Sequence, residues 1–153
     1  MREAHEYRTA SLERIVVAVD GSDTAQRALR WALAEGRARK ATVEVVHAWQ
    51  VPYAGYYPHT IGVFDPAVYE AASRQVLDEA LAAADTDGLP EPIKRTSRRG
   101  CAAAGILDAA EDADLLVLGS RGLGGVKGML LGSVTMQATH HARCPVVVVP
   151  PAR

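Results

Sequence analysis

Asp114-Leu115-Leu116-Val117-Leu118-Gly119-Ser120-Arg121-Gly122, followed after nine residues by Gly132-Ser133-Val134, decides the fold. Residues 114–118 form a short apolar run that reads as a strand, while Val134, Ala138 and His141 are spaced for one face of a helix. A glycine-rich loop therefore joins the C-terminal edge of a buried strand to a helix. Glycines there let backbone N–H groups approach an anion, and the helix N-terminus adds about half a positive charge at the same place. Ser133 suits the N-cap and carries a hydroxyl for a phosphate oxygen. Two readings stand at this level: a phosphate cradle, or a flexible turn capped by Ser133.

Other phosphate motifs fit worse. Lys127 stands between Val126 and Gly128, so there is no G-x-x-x-x-G-K-[ST] loop with its lysine and magnesium-binding hydroxyl. A G-x-G-x-x-G fingerprint starting at Gly122 would need glycine where Lys127 stands, and it should follow the first strand rather than a late one. Walker-type ATPases and NAD dehydrogenases are disfavoured accordingly.

The 153 residues suit one domain, long enough to bury about two thirds of the unfolded surface. With 17 basic and 18 acidic residues the net charge is −1, which provides no general field for nucleic acid or an anionic membrane. No apolar run approaches the roughly 18 residues of a membrane span, and the polar start Met1-Arg2-Glu3-Ala4-His5-Glu6 has no apolar signal core behind it. The expectation is a cytoplasmic protein. Cys101 and Cys144 are too few for a disulfide scaffold and lack zinc spacing, so both read as reduced thiols and no metal site is expected.

Outward from the loop, residues 14–19 read as a buried strand closed by Asp20-Gly21-Ser22-Asp23, with turn and N-cap chemistry. A helix beginning near Thr24 carries Ala25, Ala28, Leu29, Ala32 and Leu33 on one stripe, with Trp31 off it. Residues 42–49 are a second strand, rich in β-branched side chains. Residues 50–66 hold three prolines, two glycines and the aromatics Tyr53, Tyr56, Tyr57 and Phe64; a loop of that length reads either as a lid or as a variable connection. A helix from Pro66 towards Ala84 follows, with Val76, Leu77, Ala80 and Leu81 as its core stripe. Residues 92–98 form a poorer strand, whose Lys94, Arg95 and Arg98 suit a sheet edge. Ala103, Ile106, Leu107 and Ala110 mark a third helix, and Pro145-Val146-Val147-Val148-Val149-Pro150 a last short strand.

Strands alternating with helices imply a mostly parallel sheet covered on both faces, an α/β Rossmann-like architecture. Ligands bind such sheets where connections leave in opposite directions, so strands one and four should be neighbours, with Asp20 facing the Gly119 loop. Asp20 there is suited to accept from ribose hydroxyls or an adenine amine; its simpler role is that of a turn residue beside Gly21.

At this point the sequence resembles a family. A strand ending in Val19-Asp20-Gly21-Ser22, a second ending in Val46-His47-Ala48, the Gly119-x-x-Gly122-x9-Gly132-Ser133 loop and a final Cys144-Pro145-Val146-Val147-Val148-Val149 together resemble the universal stress proteins, over nearly the whole domain. The long glycine motif is that of the family's ATP-binding branch. The resemblance implies a five-stranded sheet ordered 3-2-1-4-5 within a single domain at 13–151, preceded by a flexible tail at 1–12. It places ATP, accompanied by magnesium, across the C-terminal strand ends. By the same resemblance Ala18 and Asp20 lie beside the adenosine, and the main chain of Ala48 meets adenine. Gly119 and Gly122 then flank ribose and phosphates, Gly132, Ser133 and the Val134 N–H form the phosphate-binding helix start, and Arg121 stands at a variable position near phosphate.

No residue of the motif supplies a general base or an activated nucleophile, so no catalytic residue is assigned. His140 and His141 lie about 12 Å beyond Ser133 by helix rise and suit the helix C-terminus; His47 suits a hydrogen-bonded core histidine. The expected protein is an ATP-binding stress-response regulator or sensor with at most slow hydrolysis. Its alternatives are a nucleotide-independent dimeric adaptor and, less well supported, a nucleotidyl transferase, whose H-x-G-H signature is missing. The apolar last strand would be an unpaired edge, which predicts a homodimer through residues 146–149. Single-domain members of the family commonly pair in this way.

Overall fold

The computed structural model of the chain describes residues 11–51, 65–124 and 130–152. Most of the expected tail at 1–12, most of the expected loop at 50–66, and Lys127 with its neighbours lie outside the described residues.

Nine elements alternate: β1 (Arg14–Ala18), α1 (Asp23–Arg39), β2 (Thr42–Trp49), α2 (Pro66–Ala82), β3 (Lys94–Arg99), α3 (Ala102–Ala109), β4 (Leu115–Gly119), α4 (Ser133–His141) and β5 (Val146–Val149). The five strands are parallel, in the order β3-β2-β1-β4-β5. This is the predicted order, and its reason is compositional. β1, β2 and β4 are almost continuous apolar runs, which only central, doubly covered strands tolerate, whereas the basic β3 takes an edge.

Alternate strand residues feed two cores. Ile15, Val17, Val43 and Val45 pack under α1 and α2, and the α1 stripe of Ala25, Ala28, Leu29, Ala32 and Leu33 is buried there as its spacing predicts. Val16, Val46, Leu116 and Leu118 pack under α3 and α4 with Ile106 and Ala138. Trp31 stays at the surface, 38% exposed. α1 is capped by Ser22, whose Oγ accepts from the Ala25 N–H, and ends on Lys40 in the left-handed conformation, φ 57°.

One carboxylate is sunk into the second core at the N-terminal end of the sheet. The Glu44 side chain, 2% exposed, accepts from Arg14 Nη2 at 2.6 Å, Lys94 Nζ at 3.1 Å and Thr96 Oγ1 at 2.5 Å. Arg14 Nη2 also donates to the Ala109 carbonyl at the end of α3, tying helix to sheet. Burial raises the Glu44 pKa, and the three donors outweigh it, holding the carboxyl below its ordinary range.

α4 differs from expectation in two respects. Ser133 is its first helical residue, not its cap; Gly132 stands at the N-cap and offers no side chain to the helix. His141 does not share the buried face with Ala138. That face is completed by Thr135, whose Oγ1 donates to the Gly119 carbonyl at 2.8 Å, while His141 is exposed.

Candidate functional site

β1 and β4 are neighbours whose following helices lie on opposite faces of the sheet, and the crevice opens at their C-terminal ends. A cavity of about 430 Å³ occupies it, within the range of small-ligand sites. Its wall includes Ala18 and Asp20 from the end of β1, Ala48 from β2, Gly119, Arg121 and Gly122 from the glycine loop, and Gly132, Ser133 and Val134 from the start of α4. All nine residues singled out in the sequence meet there.

The α4 side of the cavity is built from backbone. The first α4 amide bonded within the helix is that of Met136, which donates to the Gly132 carbonyl, so the N–H groups of Ser133, Val134 and Thr135 precede the hydrogen-bonded ladder. Gly132 supplies no capping oxygen, and these donors and the positive end of the helix face the cavity unclaimed by a side chain. The Gly132 N–H donates to the Ser120 carbonyl at 2.7 Å, which fixes the helix start against the loop.

Asp20 takes the turn role considered for it and adds a tie to the glycine loop. Its Oδ1 accepts from the Ser22 N–H at 3.0 Å, closing the turn after β1, and its Oδ2 accepts from the Leu123 N–H at 3.0 Å, holding the glycine loop. The glycines divide by function. A Cβ on Gly119 would lie 2.7 Å from the Thr24 carbonyl carbon and 2.8 Å from the Ala25 nitrogen, so Gly119 is demanded by the packing of α1. A Cβ on Gly122 would collide with Asp20 Oδ2. A Cβ on Gly132 would make only ordinary contact, 3.4 Å from Arg121 Cα. The sequence reading gave Gly119 and Gly122 a common purpose, anion approach. The structure adds a separate requirement to each: helix packing at Gly119 and clearance for Asp20 at Gly122. Thr24 Oγ1 donates to the Arg121 carbonyl, a second tie from α1 to the loop.

His47 also lines the cavity, a placement the sequence reading missed because it treated the residue as core alone. Its Nδ1 lies 2.8 Å from Ser73 Oγ, and burial depresses its pKa against a smaller opposing effect of the Asp20 charge. Ala25, Ala102, Ile106 and Thr135 were missed too; the cue was available, since each lies on the first turns of a helix that begins beside this sheet edge. His140 and His141 occupy the last turn of α4, where they face its negative end. Cys101 is exposed at the start of α3; Cys144 is buried, and burial raises its thiol pKa. Neither is in a disulfide. Among the described residues no group of three or more His, Cys, Asp or Glu side chains could hold a metal, and no helix is long and apolar enough to cross a membrane.

Comparison with known proteins places this geometry. The family model described as the universal stress protein family matches residues 11–150. A universal stress protein of Thermus aquaticus is 39% identical over 137 residues, covering 88% of this chain and 96% of its own length. Mycobacterial universal stress proteins also match, but the chain spans less than half of their length: 44% for one from Mycobacterium tuberculosis that is 35% identical over 134 residues and 88% of this chain. Among solved structures, a universal stress protein of Lactobacillus plantarum superposes with a TM-score of 0.76 at 25% identity, covering 92% of this chain and 99% of its own. A universal stress protein in complex with cAMP superposes at 0.63 with 28% identity, covering 94% and 100%. One from Archaeoglobus fulgidus in complex with dAMP superposes at 0.53 with 26% identity, covering 90% and 97%.

Proposed function

The chain belongs to the universal stress protein family, and from that premise we propose that it binds an adenine nucleotide, ATP foremost, in the β1/β4 crevice and acts as a nucleotide-dependent regulator in the stress response. The observation that carries this reading is convergence. Three stretches separated by up to about a hundred residues bring an acceptor carboxylate, a glycine loop and an uncapped helix N-terminus to one cavity of about 430 Å³.

In this reading the apolar wall of Ala18, Ala48 and Ile106 receives the base, and Asp20 takes a hydroxyl or amine proton. The Ser133, Val134 and Thr135 N–H groups hold phosphate oxygens, with Arg121 beside them. Magnesium arrives with the nucleotide, held by its phosphates. No residue of the glycine motif supplies a general base, and in this reading any hydrolysis is slow. That the relatives' complexes contain cAMP and dAMP supports an adenine-nucleotide pocket. The protein works in the cytoplasm as a homodimer joined through β5, whose outer edge is unpaired among the described residues.

The test is to denature freshly purified protein, identify released small molecules by mass spectrometry, and titrate the protein with ATP by calorimetry. ATP recovered, or bound with micromolar affinity, is the expected result. A protein that ignores every adenine nucleotide would be a nucleotide-independent adaptor instead. Binding at 100 times Kd should add about 2.7 kcal/mol to stability, so a thermal shift provides an independent readout.

A further inference from the structure

A chain of hydrogen bonds leads from the surface of β2 to the cavity, and its direction is fixed at one end. Trp49 Nε1–H can only donate, and it donates to Ser97 Oγ on β3 at 2.8 Å. Ser97 Oγ donates in turn to Ser73 Oγ on α2, also at 2.8 Å. The Ser73 hydroxyl, 1% exposed, has then accepted one proton and has its own left to give; the remaining partner is His47 Nδ1 at 2.8 Å. A parallel stack of Trp49 on Tyr69, with centroids 6.4 Å apart, steadies the indole at the head of the chain.

An imidazole that accepts at Nδ1 carries its one neutral-state proton on Nε2. Burial favours the neutral ring. Nε2 has no partner among the described residues, and His47 is only partly buried. His47 lines the cavity together with Asp20. The Nε2–H of that tautomer is a donor only, and a carboxylate an acceptor only.

We propose that Trp49, Ser97 and Ser73 are positioning residues that lock His47 as its Nε2–H tautomer, and that this N–H and the Asp20 carboxylate together select a ribose hydroxyl, which accepts from one and donates to the other. The tautomer rests on the hydrogen-bond chain and is independent of the nucleotide reading. The selection of a hydroxyl rests on the nucleotide reading above.

The experiment has two arms, so the two parts fail separately. In the first, protein labelled with 15N-histidine is studied without ligand by long-range 1H–15N correlation at pH 7.5. The His47 signals should show a protonated Nε2 and an unprotonated Nδ1, and Ser73→Ala should shift them towards a mixture of tautomers with the fold retained. A proton on Nδ1 in the wild type, or signals unmoved by Ser73→Ala, would overturn the lock. In the second, AMP, 2′-deoxy-AMP and 3′-deoxy-AMP are titrated into wild type and His47→Phe. The substitution should weaken AMP about tenfold, a loss of about 1.4 kcal/mol, and that penalty should vanish for the one deoxynucleotide lacking the selected hydroxyl. An equal penalty for all three ligands would overturn the selection. If wild type binds none of them, the nucleotide reading itself falls and takes the hydroxyl selection with it, while the tautomer stands or falls on the first arm. Should His47→Phe fail to fold, the Nε2 signal of wild type during AMP titration decides: it moves on saturation if the hydroxyl is bound there, and stays fixed if it is not.

Discussion

At the scale of single residues, the three loop glycines make different predictions because different atoms stand where their Cβ would go. Gly122→Val drives a branched side chain into Asp20 and the cavity mouth, so nucleotide binding should be lost while far-UV circular dichroism and the main unfolding transition are kept. Full ATP affinity in a folded Gly122→Val protein would overturn that placement. Gly119→Ala instead forces a methyl into the α1 backbone and should cost about 1–3 kcal/mol in urea unfolding, whereas Gly132→Ala, with only a 3.4 Å contact, should change stability little. His47 supplies a pH prediction. Its folded pKa lies below the model-peptide value of 6.5, so the unfolded chain takes up the proton first on acidification. The stabilisation is therefore complete above about pH 6.5 and is lost as pH falls towards the folded value. The urea midpoint of wild type should drop through this window, and His47→Gln should flatten the drop; identical pH profiles for the two proteins would contradict it.

At the scale of elements, the Glu44 cluster binds three strands and a helix. Arg14→Ala removes its closest cation and frees the Ala109 carbonyl, leaving a buried carboxylate with only Lys94 and Thr96. Roughly 2–3 kcal/mol of stability should go, measured by urea denaturation, and Arg14→Ala with Glu44→Gln together should recover part of it. Recovery would show that the uncompensated charge, rather than lost packing, was the cost. Elements were also where the sequence spoke most plainly. Largely apolar runs at 14–19, 42–49 and 114–118 and the basic run at 92–98 announce central and edge strands, and the repeated alanine and leucine spacing of α1 announces its buried face. Of the nine expected site residues, the loop glycines, Ser133 and Asp20 carry a local signature, while Ala18, Ala48, Arg121 and Val134 were named from the family resemblance. What stayed hidden was relational. Nothing in Gly119 announces that Thr24 packs on it, nothing in Ser73 or Ser97 announces a shared hydrogen-bond chain, and His47 read as core because its neighbours are apolar. The α4 start slipped by one residue because serine is the commoner cap, yet glycine there leaves the first N–H groups open to a ligand.

At the scale of the whole molecule, the outer edge of β5 predicts assembly. Val148→Asp should weaken the proposed homodimer and lower the mass seen in sedimentation equilibrium; an unchanged mass would count against pairing through that strand. A different consequence follows from where β1 finds its partners. The N–H groups of Glu13 and Arg14 donate to Asp114 Oδ2, and β1 pairs with β4 about a hundred residues later in the chain. During synthesis β1 leaves the ribosome about a hundred residues before β4, so the backbone edge it reserves for β4 must wait unpaired over that stretch of translation. The segment from 11 to 51 can pair β1 with β2 but cannot close the sheet. The crevice, which needs both Asp20 and Gly132, cannot form until both have emerged. Capture of the proposed nucleotide would therefore report that the chain through the start of α4 has emerged and folded, and nascent chains stalled before α4 should engage holding chaperones rather than nucleotide.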